Sequence, residues 1–150
     1  APINTKNVHR TNFLAGFPFG KDFRYDEMVI TSPGEMGKQA AETLAKANPL
    51  GGDNGPKPGE GPTKEERENG YYDILFLGKT ATGDTGSLSV KGDKDPGYGS
   101  TSKMIAESAL CLALDNNTHG GGIWTPGALM GEALVKRLEA NAGLTFTVES

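Results

Sequence analysis

Between Asp95 and Met104 the chain reads DPGYGSTSKM, its densest run of backbone-amide and hydroxyl chemistry. Gly97 and Gly99 free the backbone at what reads as a helix N-terminus, and Ser100, Thr101 and Ser102 add hydroxyl donors. Amides and the helix dipole at such a point favour an anion. The G-x-G-x-x-S spelling shares two positions with a dinucleotide fingerprint, but the third glycine and a surrounding βαβ unit are missing. A capped helix entered through tight turns is the simpler reading; a phosphate-binding or substrate-facing role is the alternative.

A second constellation surrounds Gly16-Phe17-Pro18-Phe19-Gly20, where Asn12, Lys21, Arg24 and Tyr25 flank two aromatic rings. Cations and amide donors beside apolar rings suit a ligand with an apolar body and an acidic or carbonyl end. The competing reading is a solvated strand face, with Phe17 and Phe19 covering the core. Lys103 and Glu107 stand one helical turn apart and read first as a weak surface pair. His9 and His119 are candidate general acids or bases, a role imidazole as a side-chain type suits, although a lone loop histidine is usually solvated. The segment HGGGIWTPG from His119 resembles an oxyanion loop in spelling, yet no G-x-S-x-G elbow accompanies it, so Trp124-Thr125-Pro126 reads as a helix entry with a packed indole. One cysteine, Cys111, and two histidines are too few for a closed zinc site or an internal disulfide.

These residues need elements to hold them. RTNFLA and FRYDEMVIT read as two strands around the aromatic loop. Ser32-Pro33-Gly34-Glu35 reads as a helix start, and Met36, Ala40 and Leu44 form one apolar stripe, the mark of a surface helix packed on a sheet. Residues 48–69, rich in Gly and Pro and holding Leu50 as their one substantial hydrophobe, read as a mobile excursion within the domain. Tyr71–Lys79 and Gly86–Lys91 read as a hairpin across TATGDT. Asp95-Pro96 opens a second helix, apolar on most faces from Met104 to Leu114 and therefore expected to be central and buried. Thr125-Pro126 opens a third, with Met130, Leu134 and Leu138 on one stripe and Gly143 ending it; LTFTV closes as a strand. The order β-β-α-β-β-α-α-β predicts an α+β fold, about three helices on a largely antiparallel or mixed sheet.

At 150 residues the chain is the size of a single domain. It has 22 glycines and 9 prolines without a G-X-Y period, which implies turn-rich structure and excludes collagen. A net charge of −4 with scattered Lys and Arg argues against nucleic acid as a partner. There is no run of apolar residues long enough to cross a membrane and no signal-peptide core at the N-terminus, so the expectation is a soluble cytoplasmic protein without membrane contact.

Three long segments carry a resemblance: GEGPTKEERENGYYDI from Gly59, DPGYGSTSKMIAESALCLALD from Asp95, and GGGIWTPGALMGEALVKRLEANAGLTF from Gly120. Together with VHRTNFLAGFPFGKDFRYDEM they resemble the C-terminal part of saccharopine dehydrogenase-like oxidoreductases, in particular the trans-acting enoyl reductase branch. The resemblance implies an α+β domain that shapes a substrate cleft and mediates dimerisation, preceded in the parent enzyme by a Rossmann domain that binds NAD(P). No Rossmann fingerprint is present here, so no cofactor is expected on this chain alone and its own hydride-transfer activity is expected to be nil. Over the matching segments the implied cleft residues are Arg10, Asn12, Arg24 and Tyr25, then Tyr98, Ser100 and Lys103, then Trp124 and Thr125. Phe17, Phe19 and Met104 would contact the apolar part of a small-molecule substrate, an acyl thioester or amino-acid adduct reduced at C=C or C=N. No catalytic residue follows from the resemblance. The Rossmann domain would act in cis or in trans, with a homodimer as a further expectation. A different class of function, a stand-alone non-catalytic ligand-binding or interaction module, is the alternative.

Overall fold

In the computed structural model, residues 2–46, 59–115 and 119–149 are described. Three helices come first: α1 (Pro2–Leu14), α2 (Gly34–Lys46) and α3 (Lys64–Asn69). The hairpin β1 (Tyr72–Lys79) and β2 (Thr85–Gly92) follows, then α4 (Gly99–Leu114), α5 (Pro126–Leu129), α6 (Gly131–Asn141) and β3 (Leu144–Val148). The class is α+β as expected, and the three described strands form one antiparallel sheet in the order β1-β2-β3. The order of elements differs from the expected one.

The largest difference is at the N-terminus. RTNFLA lies in helix α1, and FRYDEMVIT is not a strand. The residues of α1 that turn inward, Thr5, Val8, Thr11, Asn12 and Leu14, recur at helical spacing but three of the five are polar, so hydropathy conceals the helix. Met28, Val29 and Ile30 favour extended backbone, yet among the described residues no strand lies beside them to complete a ladder, and Met28 is 86% exposed. Helix α2 forms where its start signal sits, but its stripe does not pack on the sheet: Met36 and Leu44 face solvent. Its buried position is Gly37, held so close to the Ser32 carbonyl that no side chain fits there.

Of the expected mobile excursion, residues 48–58 lie outside the described residues. Its last part is ordered as α3, started by a reciprocal capping box in which the Thr63 hydroxyl accepts from the Glu66 amide at 3.2 Å and Glu66 accepts from the Thr63 amide at 2.7 Å. The hairpin is as read. Its register pairs Tyr72 with Gly92, Ile74 with Val90, Phe76 with Leu88 and Gly78 with Gly86, and β3 adds Leu144 opposite Gly92 and Phe146 opposite Val90. Alternation therefore puts the apolar residues Ile74, Phe76, Leu88, Val90, Leu144 and Phe146 on one face.

Helix α6 covers one end of that face. Leu138, Ala142 and Leu144 form the core, with Val90, Met104, Leu134 and Phe146 packed around them. The third expected helix is broken at Met130, which lies between α5 and α6, and α6 opens on Gly131 at φ +42°. Gly143, at φ +72°, makes the turn into β3 as its type predicts. Helix α4 is not central: only Ser100 and Cys111 are buried, and Ile105 is 68% exposed. Arg137 of α6 fastens it by a bidentate bond to Asp115 (2.7 Å from both Nε and Nη2) and a 3.3 Å contact to Glu107.

Candidate functional site

The aromatic loop after α1 takes its shape from one side chain. Asn12 is buried; its Nδ2 donates to the Gly20 carbonyl at 2.8 Å and its Oδ1 accepts from the Phe19 amide at 3.0 Å. The loop needs such a clamp because its backbone is unusual: Gly16 and Gly20 have positive φ, and so does Phe17 at +64°, a rare conformation for a residue with a Cβ. Phe17 turns back onto Phe13, edge to face at 5.6 Å, under the Lys21 ammonium. Phe19 turns outward and stands 5.3 Å from Phe23, which in turn meets His9 at 5.6 Å.

This aromatic wall faces the tip of the β1–β2 hairpin across an open groove of about 880 Å³. Phe19, Phe23 and Arg24 line one side, and Leu77, Lys79 and Thr85 the other. Strand alternation places those last three on the same side of the sheet, opposite the side that carries Leu88 and Val90. The hairpin tip is rigidified by Asp84, whose Oδ2 accepts from the Thr82 hydroxyl at 2.6 Å and the Thr80 hydroxyl at 3.2 Å; these bonds hold its carboxyl below the usual carboxylate range. Arg24 and Lys79 form no ion pair among the described residues. The same lining holds the Asp22 and Asp84 carboxylates, so its charge is balanced; two phenyl rings and a leucine suit an apolar chain, and Arg24 and Lys79 can donate to a carbonyl or anionic end. A smaller groove of about 450 Å³ continues past Arg24 between His9, Tyr25 and Asp26. There the Tyr25 hydroxyl donates to Glu27 at 2.7 Å, which raises the Tyr25 pKa.

The structure thus brings Phe19, Arg24 and Tyr25 together along one surface, with Asn12 behind them. The other residues singled out in the sequence lie elsewhere. Arg10 donates to the Ile123 carbonyl at 3.1 Å, and the Thr11 and Thr125 hydroxyls meet at 2.7 Å, so both contacts dock α1 on the start of α5. Trp124 donates to the Gly120 carbonyl and stacks on His119. Ser100 is buried and shares a 2.9 Å bond with the Tyr72 hydroxyl. Lys103 and Met104 are half-buried on α4, where Met104 joins the core. Tyr98 lies over Gly61.

The Asp95–Met104 segment resolves as a cap. The Asp95 carboxylate accepts from the Gly97, Tyr98 and Gly99 amides, which lowers its pKa and occupies the donors that an exogenous anion would need. The same turn docks on α3, with the Asp95 amide donating to the Arg67 carbonyl at 3.2 Å and Lys94 to that of Glu68 at 3.3 Å. Phe23, Leu77, Lys79 and Thr85 are lining residues that sequence reasoning missed. The hairpin was legible, but nothing local indicates that its tip opposes the aromatic loop some 60 residues earlier. Among the described residues no group of His, Cys, Asp and Glu is arranged to hold a metal ion, and no helix is long and apolar enough to cross a membrane.

Comparison with known proteins bears on the same chain. It is 37% identical over 164 residues to a Mycobacterium tuberculosis protein that carries the provisional name trans-acting enoyl reductase; the match covers 97% of this chain and 39% of that protein. Trans-acting enoyl reductases of Mycobacterium ulcerans and Mycobacterium bovis are 33% and 32% identical, over 91% and 92% of this chain and 37% of their own length. No protein-family profile matches the chain, and no solved structure does so with significance. The chain spans about two fifths of the length of these relatives, and over nearly all of its own length it is homologous to trans-acting enoyl reductases.

Proposed function

We propose that this chain is the substrate-binding and dimerisation domain of an NAD(P)-dependent, saccharopine dehydrogenase-like oxidoreductase that reduces a C=C or C=N bond in an acyl thioester or amino-acid-type substrate. The observation that carries the reading is the near full-length homology to part of enoyl reductases, whose name implies an α,β-unsaturated acyl substrate. The groove supports it with the chemistry such a substrate needs. Phe19, Phe23 and Leu77 offer an apolar bed for an acyl chain, and Arg24 and Lys79 offer donors to its carbonyl or to an anionic carrier group.

A nicotinamide would supply the hydride when bound. The described residues do not fit one: the closest approach to a phosphate cradle, Gly97-x-Gly99, has its amides bonded to Asp95. The cofactor is therefore assigned to a separate Rossmann domain, acting in cis or in trans, and this chain's part is to bind and orient the substrate and to exclude water from it.

The test is calorimetric titration of the chain with trans-2-octenoyl-pantetheine. The expected result is saturable binding that Arg24→Ala weakens about fivefold to tenfold, the loss of one charge-assisted hydrogen bond. Absence of binding by the unaltered chain, with no change in the Phe19 and Arg24 resonances, would overturn the substrate-binding reading.

A further inference from the structure

We infer that β1 is an interface: it pairs antiparallel with β1 of a second copy of this chain, about a two-fold axis through Phe76, to make one continuous six-stranded sheet. Among the described residues β2 is the strand that pairs with β1, so the other edge of β1 presents unpaired amides and carbonyls. Soluble proteins protect such an edge with proline, bulges or central charges. Here the centre of the strand is Ile74-Leu75-Phe76-Leu77-Gly78, with none of these devices.

Both faces of this strand carry apolar side chains that are at least two fifths exposed. Ile74 and Phe76 lie beyond the reach of α6 on one face, and Leu75 and Leu77 lie on the other, which is otherwise occupied by Ser, Thr and charged residues; Leu77 is 78% exposed. A layer packed on one face would hide only half of these side chains, whereas a strand added at the edge shields residues on both.

The sequence selects the occupant through its charges. With Phe76 on the axis, Asp73 stands opposite the partner's Lys79, and Leu75 opposite the partner's Leu77. Each contact occurs twice, as two-fold symmetry requires. Moving the register by two residues in one direction sets Asp73 opposite a leucine, and in the other sets Lys79 opposite a leucine; either isolates a charge beside an apolar side chain. Asp73 already holds Lys91 at 3.0 Å on the inner side, while Lys79 has no ion partner among the described residues.

This deepens the dimerisation part of the proposed function; Leu77 and Lys79 also line the groove, so the test reads self-association and not ligand binding. The test is sedimentation of the chain between about 1 and 100 µM, within the range expected for a small interface, together with oxidation of a Phe76→Cys variant. The native Cys111 is fully buried, so the introduced thiol is the accessible one. Expected are a concentration-dependent dimer, a disulfide-linked Phe76→Cys dimer, and a dissociation constant raised at least tenfold by Leu77→Lys, whose exposed position leaves the fold intact. A dimer that survives Leu77→Lys and does not cross-link would overturn the assignment to β1 while leaving dimerisation standing. A monomer throughout would overturn both.

Discussion

At the scale of single residues, two side chains hold more than their own position. Asn12 links the end of α1 to the far end of the aromatic turn, at Phe19 and Gly20. Asn12→Ala leaves the part-buried Gly20 carbonyl and Phe19 amide without this partner and should cost about 1–2 kcal/mol in urea unfolding. Ligand binding in the groove should weaken with it, because Phe19 loses its anchor. Arg137 is the other such residue. Its hydrogen bonds hold the Asp115 carboxyl down to about 2. The folded value lies below the ordinary one of 3.8, so the resulting stability is fully present above about pH 4 and is lost as pH falls towards 2. Thermal melts between pH 6 and pH 2 should show that decline in the unaltered chain. In Arg137→Leu the melting temperature should be several degrees lower at pH 6, with a shallower fall on acidification. Asn12 attracted attention in the sequence as a donor near aromatics, and it is a donor; that its partners would be the loop's own backbone was not legible.

At the scale of elements, local signals were reliable where the chain satisfies them locally. The T-x-x-E box of α3 is one such signal, overlooked because it ends a Gly- and Pro-rich tract; Thr63→Ala should remove about 1 kcal/mol. The hairpin turn and the glycine before β3 are others. Signals that need a distant partner misled. FRYDEMVIT has the composition of a strand, and α2 has an amphipathic stripe, but neither has a surface to bury against among the described residues. Gly92 carries the clearest element-level prediction. A Cβ there would collide with the Tyr72 ring, which lies across it from the neighbouring strand and reaches Ser100 of α4. Gly92→Ala should displace the ring, break its bond to Ser100 and destabilise the sheet–helix contact by about 2 kcal/mol. Tyr72→Phe, which keeps the packing and loses only the bond, should cost about 1 kcal/mol in the same denaturation experiment.

At the scale of the whole molecule, helix α4 shows apolar surface left over among the described residues: it is apolar on most faces, a composition suited to burial, yet Ile105 and Leu112 face outward. The chain alone should bind a hydrophobic dye and exchange the amides of α2 and residues 25–33 rapidly, and under the proposed function α4 should exchange more slowly once the proposed Rossmann domain is supplied; hydrogen-exchange mass spectrometry reads all three segments.

The amino-acid sequence by itself determined what is decided within a few residues or by period: the α+β class, the hairpin and its turn, the starts of the helices after Ser32 and Thr125, and the family resemblance carried by long contiguous segments. Capping, turn conformation and alternation are short-range and written in residue types. Only the tertiary structure decided that polar Thr5 and Asn12 face inward, that Asp95 fills its own helix terminus, and that Phe19 and Arg24 oppose Leu77 and Lys79 across a groove. Those outcomes depend on which distant backbone amide or side chain arrives beside each residue, and periodicity along the chain carries no record of that pairing.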